Sequence, residues 1–249
     1  MDLVAVHAYL RATIQTWRDC ERIGPFLASF SGSSDNPFLN YAIPDDGACP
    51  TGVDVTGLIA AYANRGLKPR LEYLPDLAPL VEPVLLTWGF QPEGRLALME
   101  FCGAFPTEPP AEFELVVPAS ADEFLAVRTV QHLAYQSPRP PGDREVESLR
   151  RNLDAGGGAV LVRTSDGARS PVGAGEYTPI IGGVTELTSV GVVADYRRRG
   201  LGAAIASWLV RAASAAGAAS PFLMANEAEA RIYARVGFRT AAEILHISK

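Results

Sequence analysis

The sequence predicts a mixed α/β chain of the α+β type, built in two halves. Three observations lead there. A stretch rich in proline and glutamate, "FPTEPPAEFELVVP" (Phe105–Pro118), breaks the chain near residue 110 and leaves the spans 1–110 and 111–249, each of domain size. Beyond it, short apolar runs bounded by Gly, Pro, Ser and Asp are mixed with segments of helical periodicity. Before it, "RLEYLPDLAPLVEPVLLTWGFQPEGRLALMEF" runs strand, helix, glycine-phenylalanine, strand, and mirrors "PFLMANEAEARIYARVGFRTAAEILHIS" at the C-terminal end.

The second half gives its elements in order. Phe113–Pro118 is strand-like. Ala121–Tyr135 is helical, with Phe124, Val127, Leu133 and Tyr135 as its apolar positions. "QSPRPPGD" ends that helix, and Glu145–Leu153 resumes a short one. "DAGGG" turns into the strand "AVLVRT", and "SDGARS" is a turn. Strands over Pro171–Tyr177 and Thr185–Val193 follow. Leu201, Ile205 and Leu209 then mark one face of a helix that Gly217 closes. "PFLMA" is a buried-type strand. A helix starts at Asn226, a good N-cap, and stops at Gly237. "RTAAEILHIS" is the last strand. The order is β α α β β β α β α β.

Bulk properties exclude several function classes. Hydrophobic residues make up 48% of the 249, enough for a core, so the chain is not disordered. A net charge of -6 argues against nucleic acid as a partner, and tolerates a cationic small molecule. Cys20, Cys49 and Cys102 are odd in number, far apart and without metal-ligand spacing. They read as reduced thiols, so we expect a cytoplasmic protein with no metal. "MDLVAVHAYL" lacks the basic start of a signal peptide, and no apolar run reaches the ~18 residues of a membrane span.

One stretch is electrostatically odd. In "ADYRRRGLGAAIASW", Arg197, Arg198 and Arg199 stand at a helix start, where the N–H groups already carry partial positive charge. They make sense if an anion sits there. Gly200 and Gly202 lack side chains, so a bulky anion can approach their backbone. A solvated basic turn is the plain alternative. A nicotinamide- or flavin-binding loop fits poorly. Ile205 stands where the third glycine of G-x-G-x-x-G belongs, and antiparallel-looking strands precede the loop.

The stretch "VGVVADYRRRGLGAAI" resembles the acyl-CoA-binding motif of the GNAT superfamily of N-acetyltransferases, Q/R-x-x-G-x-G/A, met here by Arg197, Gly200 and Gly202. "NEAEARIYARVGF" is similar to that family's second motif, asparagine, tyrosine, then glycine-phenylalanine. The resemblance covers about residues 112–249. It implies the GNAT acyl-CoA N-acyltransferase fold, with acetyl-CoA as co-substrate and an amine as acceptor. By position it implies that Arg197, Arg198, Arg199, Gly200, Leu201, Gly202 and Ala203 hold the CoA pyrophosphate. Val190 and Val192 would offer backbone groups to the pantetheine arm and thioester, with Gly191 between them suiting a bulge. Asn226 would contact CoA, and Tyr233 would protonate the leaving thiolate. Glu186 is the candidate base. His132 and His246 are its rivals. Glu176, Tyr177 and the "YQSPRPPGD" loop could line the acceptor site.

The resemblance implies direct transfer to a primary amine of a small molecule or a peptide, by a monomer or homodimer. A non-catalytic acyl-CoA sensor or partner subunit is the alternative, against which Tyr233 argues. The first half resembles a degenerate copy of the same domain. Aligning Gly89-Phe90 with Gly237-Phe238 sets Leu85 opposite Tyr233 and Ala78 opposite Asn226, and no glycine-arginine loop precedes it. The whole then reads as two tandem GNAT-like domains around a mixed, largely antiparallel sheet, the first silent. A separate α/β cap is the other reading of that half. His7 shares a helix face with Leu3, Leu10 and Ile14 and reads as core. Asp45 and Asp46 read as turn residues within reach of a cationic acceptor.

Overall fold

The computed structural model describes residues 1–32, 34–103 and 107–249. Phe105 and Pro106, at the start of the expected linker, lie outside the described residues. To residue 101 the helices and strands are α1 (Leu3–Trp17), β1 (Asp19–Ile23), β2 (Phe26–Phe30), β3 (Ala42–Pro44), α2 (Gly52–Ala63), β4 (Arg70–Tyr73), α3 (Val81–Thr87) and β5 (Gln91–Phe101). From residue 113 they are β6 (Phe113–Val116), α4 (Ala121–Ala134), α5 (Asp143–Asp154), β7 (Gly158–Thr164), β8 (Pro171–Tyr177), β9 (Val184–Val192), α6 (Leu201–Ala215), β10 (Ser220–Ala225), α7 (Glu227–Ala234) and β11 (Phe238–Ser248). The mixed α/β class and the order of the second half agree with the sequence reading.

Two compact units form: Met1–Leu98 with Thr240–Lys249, and Met99–Arg239. In the first, the strands run β1-β2-β3-β4-β11-β5. β1 and β2 make a hairpin closed at Ile23↔Phe26, and β11 pairs antiparallel with β4. His7 is buried on α1 as its face predicts, but it is also held by Asp46 through Nδ1. Asp46 pairs with Arg11 and Asp45 with Arg22, so both aspartates are tied within this unit.

In the second unit the strands run β10-β9-β8-β7-β6. β6 to β9 are antiparallel neighbours, and β10 joins β9 in parallel. Side chains alternate across a strand, so each face of β8 meets different partners. On one face, Ala174 packs in a core with Val127 and Val130 of α4, Leu149 of α5, and Ala159 and Leu161 of β7. On the other, Gly173 and Gly175 are bare, and Ile205 and Leu209 of α6 settle against them.

Local signals set the helix ends. Ser120 with Glu123 and Asn226 with Glu229 form reciprocal capping boxes at the starts of α4 and α7. α6 closes as a Schellman turn: the Ala218 N–H donates to Ala213 O and the Gly217 N–H to Ser214 O, with Gly217 at φ +102°. One expectation fails on α4. Leu133 and Tyr135 are 61% and 56% exposed, not apolar core positions. The buried stripe runs through Val127, Val130 and Gln131, and position 133 lies about 200° around the helix from Gln131.

The bare face of β8 makes a stability prediction. A Cβ on Gly175 would lie 2.6 Å from Cγ2 of Ile205 and 2.9 Å from Cδ1 of Leu209, whereas one on Gly202 meets nothing within 4 Å. Gly175→Ala is expected to cost about 1–3 kcal/mol through overpacking. Gly202→Ala should be neutral or stabilising by up to about 1 kcal/mol, because it restricts the unfolded chain. Urea melts of the two variants check the contrast.

Candidate active site

The site forms where β9 leaves its parallel neighbour. β10 pairs with β9 at Ser220↔Val184, Pro221↔Thr185 and Phe222↔Glu186, and the register ends there. On its other edge β9 stays with β8, but not evenly. Leu187 and Thr188 oppose Tyr177 and Glu176, and Gly191 and Val192 oppose Ala174 and Gly173. Ser189 and Val190 together therefore stand against Gly175 alone, which is a bulge. Ser189 takes the left-handed conformation, φ +56°. The bulge thus falls one to two residues before the expected Gly191. Gly191 stays in register and serves close packing instead: a Cβ there would lie 2.8 Å from the Ala134 Cβ of α4.

The last turn of α4 grips this bulge. Gln131 Nε2 donates to Ser189 O (3.2 Å), and the Tyr135 hydroxyl, one turn on, donates to Val190 O (3.1 Å). Gln131 Nε2 also donates to Glu176 Oε1 (2.8 Å), and Gln131 Oε1 accepts from Arg128 (2.8 Å). Glu176 is 4% exposed and pairs with Arg128 at 2.6 Å, which satisfies a buried charge that would otherwise be costly. Arg197 joins the same turn to the anion loop: Nε donates to Val192 O (3.0 Å) and a terminal nitrogen to Ala134 O (2.8 Å).

The three arginines divide their roles. Arg197 is committed to backbone carbonyls. Arg199 donates to Asp195 O and lies over the Tyr196 ring, 5.0 Å from its centroid. Arg198, in the left-handed region at φ +63°, makes no side-chain hydrogen bond or ion pair among the described residues. Gly200 is the N-cap of α6 at φ +79°, and no side chain caps this helix. The Ala204 N–H reaches Gly200 O. The N–H groups of Leu201, Gly202 and Ala203 precede the first intrahelical bond and open forward. A Cβ on Gly200 or Gly202 meets nothing within 4 Å, so there is room for an anion in front of them. This donor set and this space fit a CoA pyrophosphate.

Tyr233 sits on α7, edge-on to Phe238 (6.1 Å). Burial pushes its hydroxyl well above the ordinary tyrosine range, and the nearby Tyr135 and Glu229 push it further. Tyr135, though its ring is partly exposed, is pushed up to about 12, chiefly by desolvation against the neighbouring chain and then by Glu229 and Glu176. Asn226 is exposed and its carbonyl oxygen caps α7 by accepting from the Glu229 N–H (3.0 Å). Glu186 stands where β9 and β10 still pair. By strand alternation it shares the α4-side face with Thr188 and Glu176.

A cleft of about 280 Å³ opens beside the bulge, lined by Arg128, Gln131, His132, Tyr135, Ser137, Glu145, Ser148 and Ser189. His132 is on its wall, with Nδ1 against Arg139 O (2.9 Å). His246 is in the first unit beside Glu72 and does not belong to this site. Tyr177 is buried over Gly158 rather than lining the cleft. Arg128, Gln131 and the hydroxyl role of Tyr135 escaped the sequence reading. Their spacing along α4, three and then four residues, was a visible polar stripe on one helix face.

Residues 124–238 match the family model described as acetyltransferase (GNAT) family. No curated protein matches the chain. Among solved structures, a GCN5-related N-acetyltransferase from Kribbella flavida is 26% identical with a TM-score of 0.82, over 100% of this chain and 95% of that one. A GCN5-related N-acetyltransferase from Sphaerobacter thermophilus shares the fold at 14% identity and TM-score 0.67, over 90% of this chain and 76% of that one. A tandem GNAT protein from the clavulanic acid biosynthesis pathway does so at 13% and 0.61, over 90% and 78%. Residues 124–238 thus form an acetyltransferase domain of the GNAT family, and the chain around it is similar in fold to GCN5-related N-acetyltransferases.

Proposed function

We propose that the protein transfers acetyl from acetyl-CoA directly to a primary amine of a small polar molecule. The carrying observation is the bulge of β9, held by α4 and tied through Arg197 to the loop before the uncapped N-terminus of α6. When bound, acetyl-CoA supplies the activated acetyl thioester. The chain's residues hold and orient it. The N–H groups of Leu201, Gly202 and Ala203, with Arg198, receive the pyrophosphate. The backbone of Val190 and Val192 aligns the pantetheine arm, and an N–H there polarises the acetyl carbonyl. Tyr233 holds a proton at Oη for the departing sulfur. Glu186 takes the amine proton through water, and His132 on the cleft wall is the competing base. Asn226 contacts CoA while capping α7.

The cleft beside the bulge takes the acceptor. Arg128 and Glu176 offset each other, which leaves the Glu145 carboxylate in excess. Burial pushes the Glu145 carboxyl up, but the backbone N–H groups of Glu145 and Gly142 and the charges of His132 and Arg128 outweigh it and hold it below its ordinary range. With Ser137 and Ser148 beside it, this wall favours a hydroxylated, cationic amine over an apolar one. Cys20, Cys49 and Cys102 are free thiols outside this wall, which supports direct transfer and a cytoplasmic setting.

The first half we read as a silent copy of the same domain. The support is local. Gly89 and Gly237 are both left-handed (φ +81° and +104°), and each precedes a fully buried phenylalanine, Phe90 and Phe238. Leu85 and Ala78, in the positions of Tyr233 and Asn226, are buried apolar residues, and α3 has no side-chain cap. No helix among the described residues is long and apolar enough to cross a membrane.

Three measurements test this reading. Gly202→Val should keep the fold and weaken acetyl-CoA binding about tenfold or more in a calorimetric titration, by blocking charge-assisted bonds of roughly 1.5–3 kcal/mol each. Unchanged affinity would sink the loop assignment. Tyr233→Phe should leave that affinity intact and lower turnover, by less than the usual ~10²–10⁴-fold because a CoA thiol leaves readily. Since its hydroxyl is pushed above the ordinary value of about 10, this acid stays protonated, and kcat should show no alkaline fall below about pH 10 from it. Glu186→Gln should remove the acid limb of the pH–rate profile. If His132→Gln removes it instead, the base is His132.

A further inference from the structure

We propose that Gln131 and Tyr135 are positioning residues for acetyl transfer, and that the buried Arg128–Glu176 pair exists to aim the Gln131 amide. This rests on the reading that the β9 bulge receives the thioester.

The argument starts from Ser189. A non-glycine residue at φ +56° is disfavoured, so neighbouring groups must hold it there. Two donors on α4 do so. Gln131 and Tyr135 lie one turn apart on one helix face and bind consecutive carbonyls, Ser189 O and Val190 O. Gly191, bare beneath Ala134, lets the helix come close enough. Turning these two carbonyls toward α4 fixes the peptide planes on either side of Val190, and with them the direction of the N–H groups that follow.

A glutamine amide can present either end, so its orientation needs a cause. Here the cause is the ion pair. Nε2 faces two acceptors, Glu176 Oε1 and Ser189 O, and Oε1 faces the Arg128 guanidinium. The reversed amide would set oxygen against carboxylate and carbonyl, and NH₂ against a cation. Glu176 is held in turn by Arg128 at 2.6 Å and by Asn152 at 3.5 Å. Its carboxylate is thus an anchor, one residue removed from the bulge, and not the proton acceptor of the reaction.

The test uses Gln131→Met, which keeps length and burial but cannot donate, together with Tyr135→Phe and Glu176→Gln. Each is read for melting temperature, desulfo-CoA affinity, kcat, KM and the pH profile. The expected result for the first two is a folded protein with desulfo-CoA affinity unchanged and kcat lowered about tenfold to a hundredfold, as for a reacting group misplaced by about 1 Å. In Gln131→Met, the carbonyl shift of Ser189 and the amide shift of Val190 should move in NMR spectra without ligand. Glu176→Gln removes the ion pair that aims the amide, so it should lower kcat in the same direction with an unshifted pH profile, and wild-type kcat in it overturns the aiming role. Wild-type kcat in Tyr135→Phe overturns the proposal, as does wild-type kcat in a folded Gln131→Met. Loss of the acid limb in Glu176→Gln also overturns it, by making Glu176 the base. If Gly202→Val leaves acetyl-CoA binding intact, the loop reading fails on its own, while the NMR shifts still decide the role of Gln131.

Discussion

The closeness of α4 to the β9 bulge is the contact on which the rest of the active unit depends. It requires that residue 191 have no side chain, because a Cβ there would lie within 2.8 Å of Ala134. That approach brings Gln131 and Tyr135 to consecutive strand carbonyls and the end of α4 to Arg197. One helical turn thereby ties the bulge, the end of β9 and the loop before α6. The parting of β9 from β10 after Glu186 leaves backbone free to serve a ligand rather than a sheet.

The arginines at the wrong end of a helix are resolved by this arrangement. Two of the three do not face an empty helix terminus at all. Arg197 answers carbonyls of β9 and of α4, where a cation complements the C-terminal dipole. Arg199 turns back to Asp195 O and the Tyr196 ring. Arg198 makes no side-chain hydrogen bond or ion pair among the described residues, and it stands on left-handed backbone two residues before Gly200. An anion bound there, as proposed for the CoA pyrophosphate, would meet mainly backbone N–H groups with one cation.

Much of this was legible in the chain. The Arg-x-x-Gly-x-Gly loop, the capping asparagine at 226 and the Gly-Phe steps announce themselves because cap and turn chemistry acts within a few residues. The sequence reading picks out Tyr233 by its place in that pattern. Tyr135, Gln131 and Arg128 were not, because their partners Val190, Ser189 and Glu176 lie 55, 58 and 48 residues away. Leu133 was misread for a related reason. Periodicity shows that a helix has a buried face, but the angle at which that face meets a sheet belongs to the packing.

The sequence by itself determined the mixed α/β class, the order of the second half, the uncapped and glycine-lined start of α6, and the absence of an acidic or polar cap there. These follow from local rules of propensity, capping and steric freedom. The tertiary structure alone decided where β9 bulges, which carbonyls α4 takes, how Arg197 and Arg199 are engaged, and that Glu176 is buried in an ion pair with Arg128. Those outcomes depend on groups far apart in the chain meeting in a buried place, where each donor and charge must find a partner.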